Sequence, residues 1–213
     1  MAKIQIIGAP QSPFVWATRM AAVEKGLDYE LVVVGPHAPE VYAVQPFGKL
    51  PGMRHGDVTL AESRAIAHYF DGLNDANPLF PRDSVAAARA EQWIMHLYME
   101  YTPAFLGGYI AQYFFPSGPD GKPNRAAIEA NMPRLQKSLG ILEKQLAGRD
   151  YIAGDFSFAD LLYPPQLHYL NSLPEGSGLV AASPNVSSYL ARMSERPAFK
   201  ATFPPPMPSR AAA

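Results

Sequence analysis

The run Ile4-Gln5-Ile6-Ile7-Gly8-Ala9-Pro10-Gln11-Ser12-Pro13-Phe14-Val15-Trp16-Ala17-Thr18-Arg19 passes from an apolar strand through a turn into a helix. Lys3 to Ile7 reads as the strand. Ser is a favoured N-cap and Pro a favoured first helical residue, so Ser12-Pro13 marks the helix start. Val15, Trp16, Met20 and Val23 recur at helical spacing until Gly26 stops the pattern. Tyr29-Glu30-Leu31-Val32-Val33-Val34 is apolar and β-branched, the composition of a second strand buried on both faces. A β-α-β unit is thus expected within the first 35 residues.

Gly35-Pro36-His37-Ala38-Pro39 breaks the pattern. Two short runs, Gly52-Met53-Arg54-His55 and Val58-Thr59-Leu60, then flank Gly56-Asp57, a hairpin signal. Glu62 to Leu73 reads as a helix with Ile66, Tyr69, Phe70 and Leu73 on one face. Asn74 to Arg82 is rich in turn formers, and no strand pattern follows it. Ser84 to about Phe115 is a long helical stretch that Pro103 and Gly107-Gly108 should kink or interrupt. Asn124 to Ala147 carries Ile128, Met132, Leu135, Leu139, Leu142 and Leu146 at steps of 4, 3, 4, 3 and 4, a core stripe in a helix bent by Pro133. Ser157-Phe158-Ala159-Asp160 resembles a capping box with Asp as the fourth residue, and Phe156 and Leu161 suit the hydrophobic staple. A last helix is expected from Ser183-Pro184 to just before Pro197, and residues 201–213 read as a loosely held tail rich in Pro and Ala. The expected organisation is α/β plus all-α: a first domain over 1–76, a linker over 77–82 and a helical domain over 83–213.

Composition narrows the chemistry. Of 213 residues 48% are apolar and 17% charged, enough for a well-buried core, and a formal net charge of -1 supplies no electrostatic reason to expect nucleic acid. Cysteine is absent, which excludes a disulfide, a thiolate metal site and a sulfur nucleophile belonging to the protein. Any sulfur chemistry must use a borrowed thiol. The first apolar run is too short for a secretory signal, and no segment reaches the roughly 18 apolar residues of a membrane span. A soluble, cytoplasmic protein with no membrane partner is expected.

Three short segments have residues suited to binding or catalysis. Ser12-Pro13 is explained as helix punctuation, yet a helix N-terminus after the first strand of an α/β unit is also an anion site, and the anion can be a thiolate. Pro46-Phe47-Gly48-Lys49-Leu50-Pro51-Gly52 enters the hairpin. Pro51 reads as an ordinary trans turn or as a cis bond that leaves the Leu50 amide and carbonyl facing a peptide-like ligand. Glu62-Ser63 offers capping chemistry, or an acid and a hydroxyl for the amine and carboxylate of an amino-acid-like ligand.

In order and spacing these features together resemble a cytosolic glutathione transferase: Ser12-Pro13 in a β-α-β unit, the Pro46-to-Gly52 segment, Leu60-Ala61-Glu62-Ser63-Arg64-Ala65-Ile66-Ala67-His68-Tyr69-Phe70, then a helical half with Ser157-Phe158-Ala159-Asp160. The likeness runs from residue 3 to about 200 and is closest to the serine-using classes, the phi and theta-like group and bacterial relatives, from Ser12-Pro13 through Glu24-Lys25-Gly26-Leu27-Asp28-Tyr29. It implies a thioredoxin-like N-terminal domain, a helical-bundle C-terminal domain, a homodimer, and glutathione as co-substrate with no metal. By the same resemblance Ser12 donates its hydroxyl to the glutathione sulfur and the Leu50 backbone, before a cis Pro51, pairs with the cysteinyl unit. Glu62 and Ser63 then hold the γ-glutamyl end, Lys49 and His37 face the glycine carboxylate, and Asp160 caps a helix. Two positions depart from the pattern. Ala17 stands where many serine-type members carry Arg, and His37 lies one residue nearer the Pro-Phe-Gly segment than in the phi class and is followed by Ala38 rather than Lys.

The resemblance points to a transferase that attacks a small-to-medium apolar electrophile with the glutathione thiolate, with Phe14, Tyr109 and Phe114 lining the electrophile's pocket. Tyr101, Phe105 and Tyr109 share a helical face that suits core and pocket wall equally. A glutathione-dependent isomerase or dehalogenase, and a non-catalytic binding protein of the same fold, are the alternatives. Mass balance separates the first two, since conjugation consumes glutathione and isomerisation regenerates it.

Overall fold

A computed structural model of the protein describes residues 2–206. The chain divides into two compact units, one holding residues 1–80 together with the segment from Arg196 onward, the other Pro81–Glu195.

In the first unit, β1 (Ile4–Ile7) leads to α1 (Pro13–Glu24), β2 (Tyr29–Val32), a single turn α2 (Pro39–Tyr42), β3 (Gly52–His55), β4 (Val58–Ala61) and α3 (Ser63–Asp71). The sheet order is β2-β1-β3-β4, with β1 parallel to β2 and antiparallel to β3. The β-α-β unit and the hairpin are therefore present, but β2 is an edge strand. It is half-buried rather than covered on both faces, and Val33, expected inside it, is 65% exposed. The reason is topological: β3 enters antiparallel on the far side of β1, so β1 takes the central place and β2 keeps one neighbour.

Helix α1 is buried nearly all round, Ala17, Ala21 and Ala22 as well as Val15, Trp16 and Met20. One face meets α3 and another meets α10 (Pro197–Thr202), an element the sequence reading lacked. Trp16 packs tilted against Phe199 and meets Phe203 edge-on, and its indole nitrogen donates to Thr202 Oγ1 at 3.0 Å. The last helix is thus α10, not the one before Pro197, and residues 201–206 are a packed segment, with Thr202 and Pro204 buried, rather than a loose tail. Pro208 and the closing alanines of that expected tail lie outside the described residues. The turn-rich stretch after Asn74 is likewise fastened: the buried Lys25 ammonium donates to Asp71 (3.0 Å) and to the carbonyls of Asn74 (2.9 Å) and Ala76.

The second unit is helical: α4 (Ser84–His96), α5 (Ala111–Phe114), α6 (Arg125–Gln145), α7 (Ala159–Asn171), α8 (Pro174–Ala181) and α9 (Pro184–Ser194). Between α4 and α5 the chain does not break at Pro103 or Gly107-Gly108. It widens into π turns over Leu97–Tyr101 and Pro103–Ile110. The side-chain amide of Asn131 donates to the Ala104 carbonyl at 2.8 Å, and Gly108 permits the approach, because a Cβ there would lie 2.2 Å from Asn131 Oδ1. In α6 the stripe of Ile128, Leu135, Leu139 and Leu142 is buried core, and exposed Pro133 is carried within the helix. Among the described residues every strand lies in the first unit, and no helix is long and apolar enough to cross a membrane.

Candidate active site

The sheet register gathers the singled-out segments. Ile7, the last residue of β1, pairs with Val32 on one side and Gly52 on the other, and Gly52 pairs with Ala61. One row of the sheet thus ends β1, β2 and β4 and begins β3. The chain leaves that row toward Ser12 after Ile7, toward His37 after Val32 and toward Glu62-Ser63 after Ala61, and it enters through Leu50-Pro51 before Gly52. Strands in a sheet lie about 4.8 Å apart, so four segments distant in sequence share one end of one small sheet.

Ser12 is the N-cap of α1, half-buried, in extended conformation, with Pro13 as the first helical residue. Its Oγ accepts from the Val15 amide at 3.5 Å, a long bond. A hydroxyl has one donor and two acceptor sites, so the cap uses a lone pair of Oγ and leaves the O–H proton to give away. Capping and donation to an anion are compatible uses of one atom. Ala17 is fully buried, and the nearest arginine on this helix, Arg19, bonds elsewhere, its Nε to the Tyr29 hydroxyl (3.0 Å) and its Nη1 to the Thr202 carbonyl (2.9 Å).

The loop before β3 is organised by a residue that sequence reasoning passed over. Gln45 is buried, its Oε1 accepts from the amides of Phe47 (2.6 Å) and Lys49 (3.3 Å), and its Nε2 donates to Glu62 Oε1 at 3.4 Å. It joins the Phe47-Gly48-Lys49 turn to the acid at the head of α3. A polar amide directly before Pro46-Phe47-Gly48 is the signal that was there to read: short polar side chains bond nearby backbone groups in turns, and Gln45 does so at the amides two and four residues on. Gly48 has φ +69°, and a Cβ on it would stand 2.3 Å from His37 Nδ1 and 2.9 Å from the Tyr42 ring. His37 itself is exposed, with Nδ1 2.8 Å from the Tyr42 hydroxyl, and its amide donates to the Gly48 carbonyl at 2.8 Å. The Leu50-Pro51 bond is cis. Glu62 does not cap α3 with its side chain, contrary to the capping reading; it is exposed and held at φ +68°, ψ 121°. Backbone strain of this kind costs of order 1–3 kcal/mol and collects at functional sites. Ser63 behind it is buried.

The family profile for the glutathione S-transferase N-terminal domain matches residues 6–78, and that for the C-terminal domain matches 94–197. Glutathione S-transferase 3 of Zea mays is 33% identical over 228 residues, covering 100% of both chains. The chain belongs to the glutathione S-transferase family. Among solved structures, glutathione transferase F7 from Populus trichocarpa superposes with a TM-score of 0.82 at 30% identity, over 93% of this chain and 97% of that one. Glutathione S-transferase I from maize, in complex with an atrazine glutathione conjugate, superposes at 0.82 with 29% identity, over 94% and 96%. The four-stranded mixed sheet followed by a helical unit is the fold of this family, with the thioredoxin-like domain first.

Not every expected site residue of the transferase faces a substrate. Tyr109 has no exposed surface: its hydroxyl donates to Glu175 Oε2 (2.9 Å) and accepts from the Gly176 amide (2.9 Å), so it is packing, not pocket lining. Burial pushes the Glu175 carboxyl up, but hydrogen bonds from Tyr113 and Arg125 outweigh it and hold the group at about 2. Tyr101 and Phe105 are buried with Tyr109. Phe14 and Phe114 are half-buried, the latter edge-on to Tyr169 at 5.1 Å. Asp160 is wholly buried, and its carboxylate accepts from the amides of Ile152 (2.9 Å) and Ser157 (3.0 Å) and from the Tyr189 hydroxyl (3.1 Å). Burial pushes this carboxyl up to about 6 against the pull of those bonds. Among the described residues no group of three or more His, Cys, Asp or Glu side chains is placed to hold a metal ion.

Proposed function

We propose that Ser12 activates glutathione by donating its hydroxyl proton in a hydrogen bond to the sulfur, and that the resulting thiolate attacks an apolar electrophile. The observation that carries this reading is the Ser12 cap, whose Oγ accepts from Val15 and keeps its proton at the positive end of α1. A free thiol has a pKa of about 8.5 and is only about 3% ionised at pH 7, so lowering it by about 2 units corresponds to about 2.7 kcal/mol. One charge-assisted hydrogen bond of about 1.5–3 kcal/mol and a helix-terminus contribution of about 0.3–1 kcal/mol suffice.

The rest of the tripeptide follows the same sheet end. The Leu50 backbone pairs with the cysteinyl unit, exposed Glu62 receives the γ-glutamyl amine, and Ser63 supports the α-carboxylate. Lys49 and His37 take the glycine carboxylate, both exposed and both tied to the Gly48 turn. Phe14, two residues after Ser12, supplies apolar surface for the electrophile. Ala17 leaves the serine without the guanidinium many serine-type members have, so the hydroxyl and the helix terminus do the activation.

Saturating glutathione, at about 100 times its dissociation constant, should stabilise the protein by about 2.7 kcal/mol. No shift in melting temperature would turn the reading to a non-catalytic binding protein. Loss of one glutathione per product supports conjugation; full recovery of glutathione at the end of turnover would mean isomerisation. The homodimer belongs to this proposal too, and light scattering is expected to return twice the 23.2 kDa chain mass; the mass of a single chain would remove it.

A further inference from the structure

We infer that the segment from Arg196 to Pro206 braces the helix carrying Ser12, and that Gln11 is the positioning residue through which this brace sets the serine hydroxyl. The claim on sulfur rests on the reading of Ser12 given above.

Four side chains on or just before α1 are fastened to this one segment. At the helix end, Glu24 receives Arg196 in a two-pronged pair, Nε to Oε1 and Nη2 to Oε2, both 2.9 Å. In the middle, Arg19 Nη1 donates to the Thr202 carbonyl (2.9 Å) and the Trp16 indole donates to the Thr202 hydroxyl (3.0 Å), which itself donates to the Ala198 carbonyl (2.7 Å). Before the helix, Gln11 Nε2 donates to the carbonyls of Pro206 (3.2 Å) and Pro205 (3.4 Å).

The two fastenings nearest Ser12 lie on either side of it, Gln11 one residue before and Trp16 one helical turn after. Within the helix itself Ser12 is held by a 3.5 Å cap bond and by the Trp16 amide on its carbonyl at 2.9 Å. A hydroxyl that must aim its proton at a sulfur needs its backbone fixed, because hydrogen-bond strength falls steeply with misalignment. On the entering side the Ser12 amide donates to the Ala9 carbonyl at 3.0 Å, a turn bond inside the same loop, and the Gln11 side-chain amide ties that turn to a backbone 194 and 195 residues away in sequence. Proline carbonyls suit the task, since a proline run has no amide of its own to compete for them and little freedom to move away.

The test uses Gln11→Met, which keeps the length of the side chain and removes the donor, in the full chain and in a chain ending at Pro204. Amide hydrogen exchange without glutathione should accelerate in the first turn of α1. With glutathione, thiolate absorbance followed against pH should show the bound thiol's apparent pKa raised by about one unit, a tenfold change in its acid constant. Affinity for S-methylglutathione, which has no thiol to ionise, should stay unchanged. In the shortened chain Gln11→Met should add nothing further to the brace, because the Pro205 and Pro206 carbonyls it uses are gone. Wild-type exchange and wild-type pKa in Gln11→Met overturn the proposal. So does an equal pKa shift in both backgrounds, which would mean that Gln11 acts on the sulfur directly. A wild type that protects the first turn but forms no thiolate overturns the Ser12 reading and the claim on sulfur with it. Should the shortened chain not fold, exchange and titration of Gln11→Met in the full chain still decide.

Discussion

Replacing Ser12 by Ala separates the two uses of its hydroxyl, because they differ in size and in pH dependence. As a cap, Oγ makes one 3.5 Å bond to the Val15 amide, so its loss belongs at the low end of the N-cap range, about 0.5–1 kcal/mol of folding stability. As a donor to a thiolate it is worth about 1.5–3 kcal/mol, or about 1–2 pKa units on the bound thiol. If the bound pKa returns from about 6.5 to about 8.5, the ionised fraction at pH 7 falls from about three-quarters to about 3%, a 25-fold loss. The weaker acid yields the better nucleophile, with a Brønsted slope of about 0.4, which restores about sixfold and leaves a net loss of about fourfold. For the full two-unit shift the fall in kcat/KM at pH 7 is therefore about 4- to 25-fold, for a one-unit shift only about 1.3- to 3-fold, and it disappears or reverses above about pH 9, where both thiols are ionised. The assay is kcat/KM against pH with a chromogenic electrophile, read beside the thiolate difference spectrum of the glutathione complex. A loss of activity independent of pH, or an unchanged thiolate titration in Ser12→Ala, would leave Ser12 a helix cap and nothing more.

Gln45→Met unpairs the amides of Phe47 and Lys49 and frees Glu62, and is expected to raise the glutathione KM about tenfold with kcat nearly unchanged, as loss of uniform binding does; an unchanged KM would show that the turn holds without it. Lys25→Met leaves Asp71 without its buried cation and should lower unfolding free energy by about 3–5 kcal/mol in urea titration, whereas a change under about 1 kcal/mol would mean the ammonium is not needed to fasten the loop. Asp160 has its folded-state pKa raised to about 6, above the unfolded value, so the folded state binds the extra proton and this group's contribution to stability is lost as pH rises from about 4 to about 6. Asp160→Asn should be less stable at every pH but should flatten that slope; an unaltered slope would assign the pH dependence to other groups.

The sequence patterns that survived folding were the local ones. Ser12-Pro13, the Gly56-Asp57 hairpin and the stripe from Ile128 to Leu142 each depend on residues within one element, and each stands where its pattern implied. What escaped is long-range. The edge position of β2 is set by β3, 20 and more residues later, and no feature of Tyr29 to Val34 announces it. Six residues, Pro197–Thr202, are too few to show a helical stripe, yet α10 is held because Trp16, Phe199 and Phe203 cluster and Thr202 meets two α1 side chains. Gln45 looked like a loop residue since its three bonds lead to neighbours and to Glu62, and only the fold brings the last of these within reach. Tyr109 was equally suited to core or pocket by spacing; Glu175 and the Gly176 amide, 66 and 67 residues on, decided for the core.

Ser12 and Asp160 show why a capping pattern alone does not separate structure from chemistry. Both stand at helix starts and both carry side chains that accept backbone amides. Asp160 is wholly buried, and two amides and two hydroxyls converge on its carboxylate, so the group is consumed by the fold and ionises reluctantly. The Ser12 side chain is half-buried and meets its helix through one long bond that draws on a lone pair, which leaves its O–H as a donor. The difference between a structural cap and a reactive one lies in the hydrogen-bonding capacity left after the fold has been satisfied. On that measure the serine that opens α1, at the sheet end shared by Leu50, Glu62 and Lys49, is the residue whose chemistry remains available.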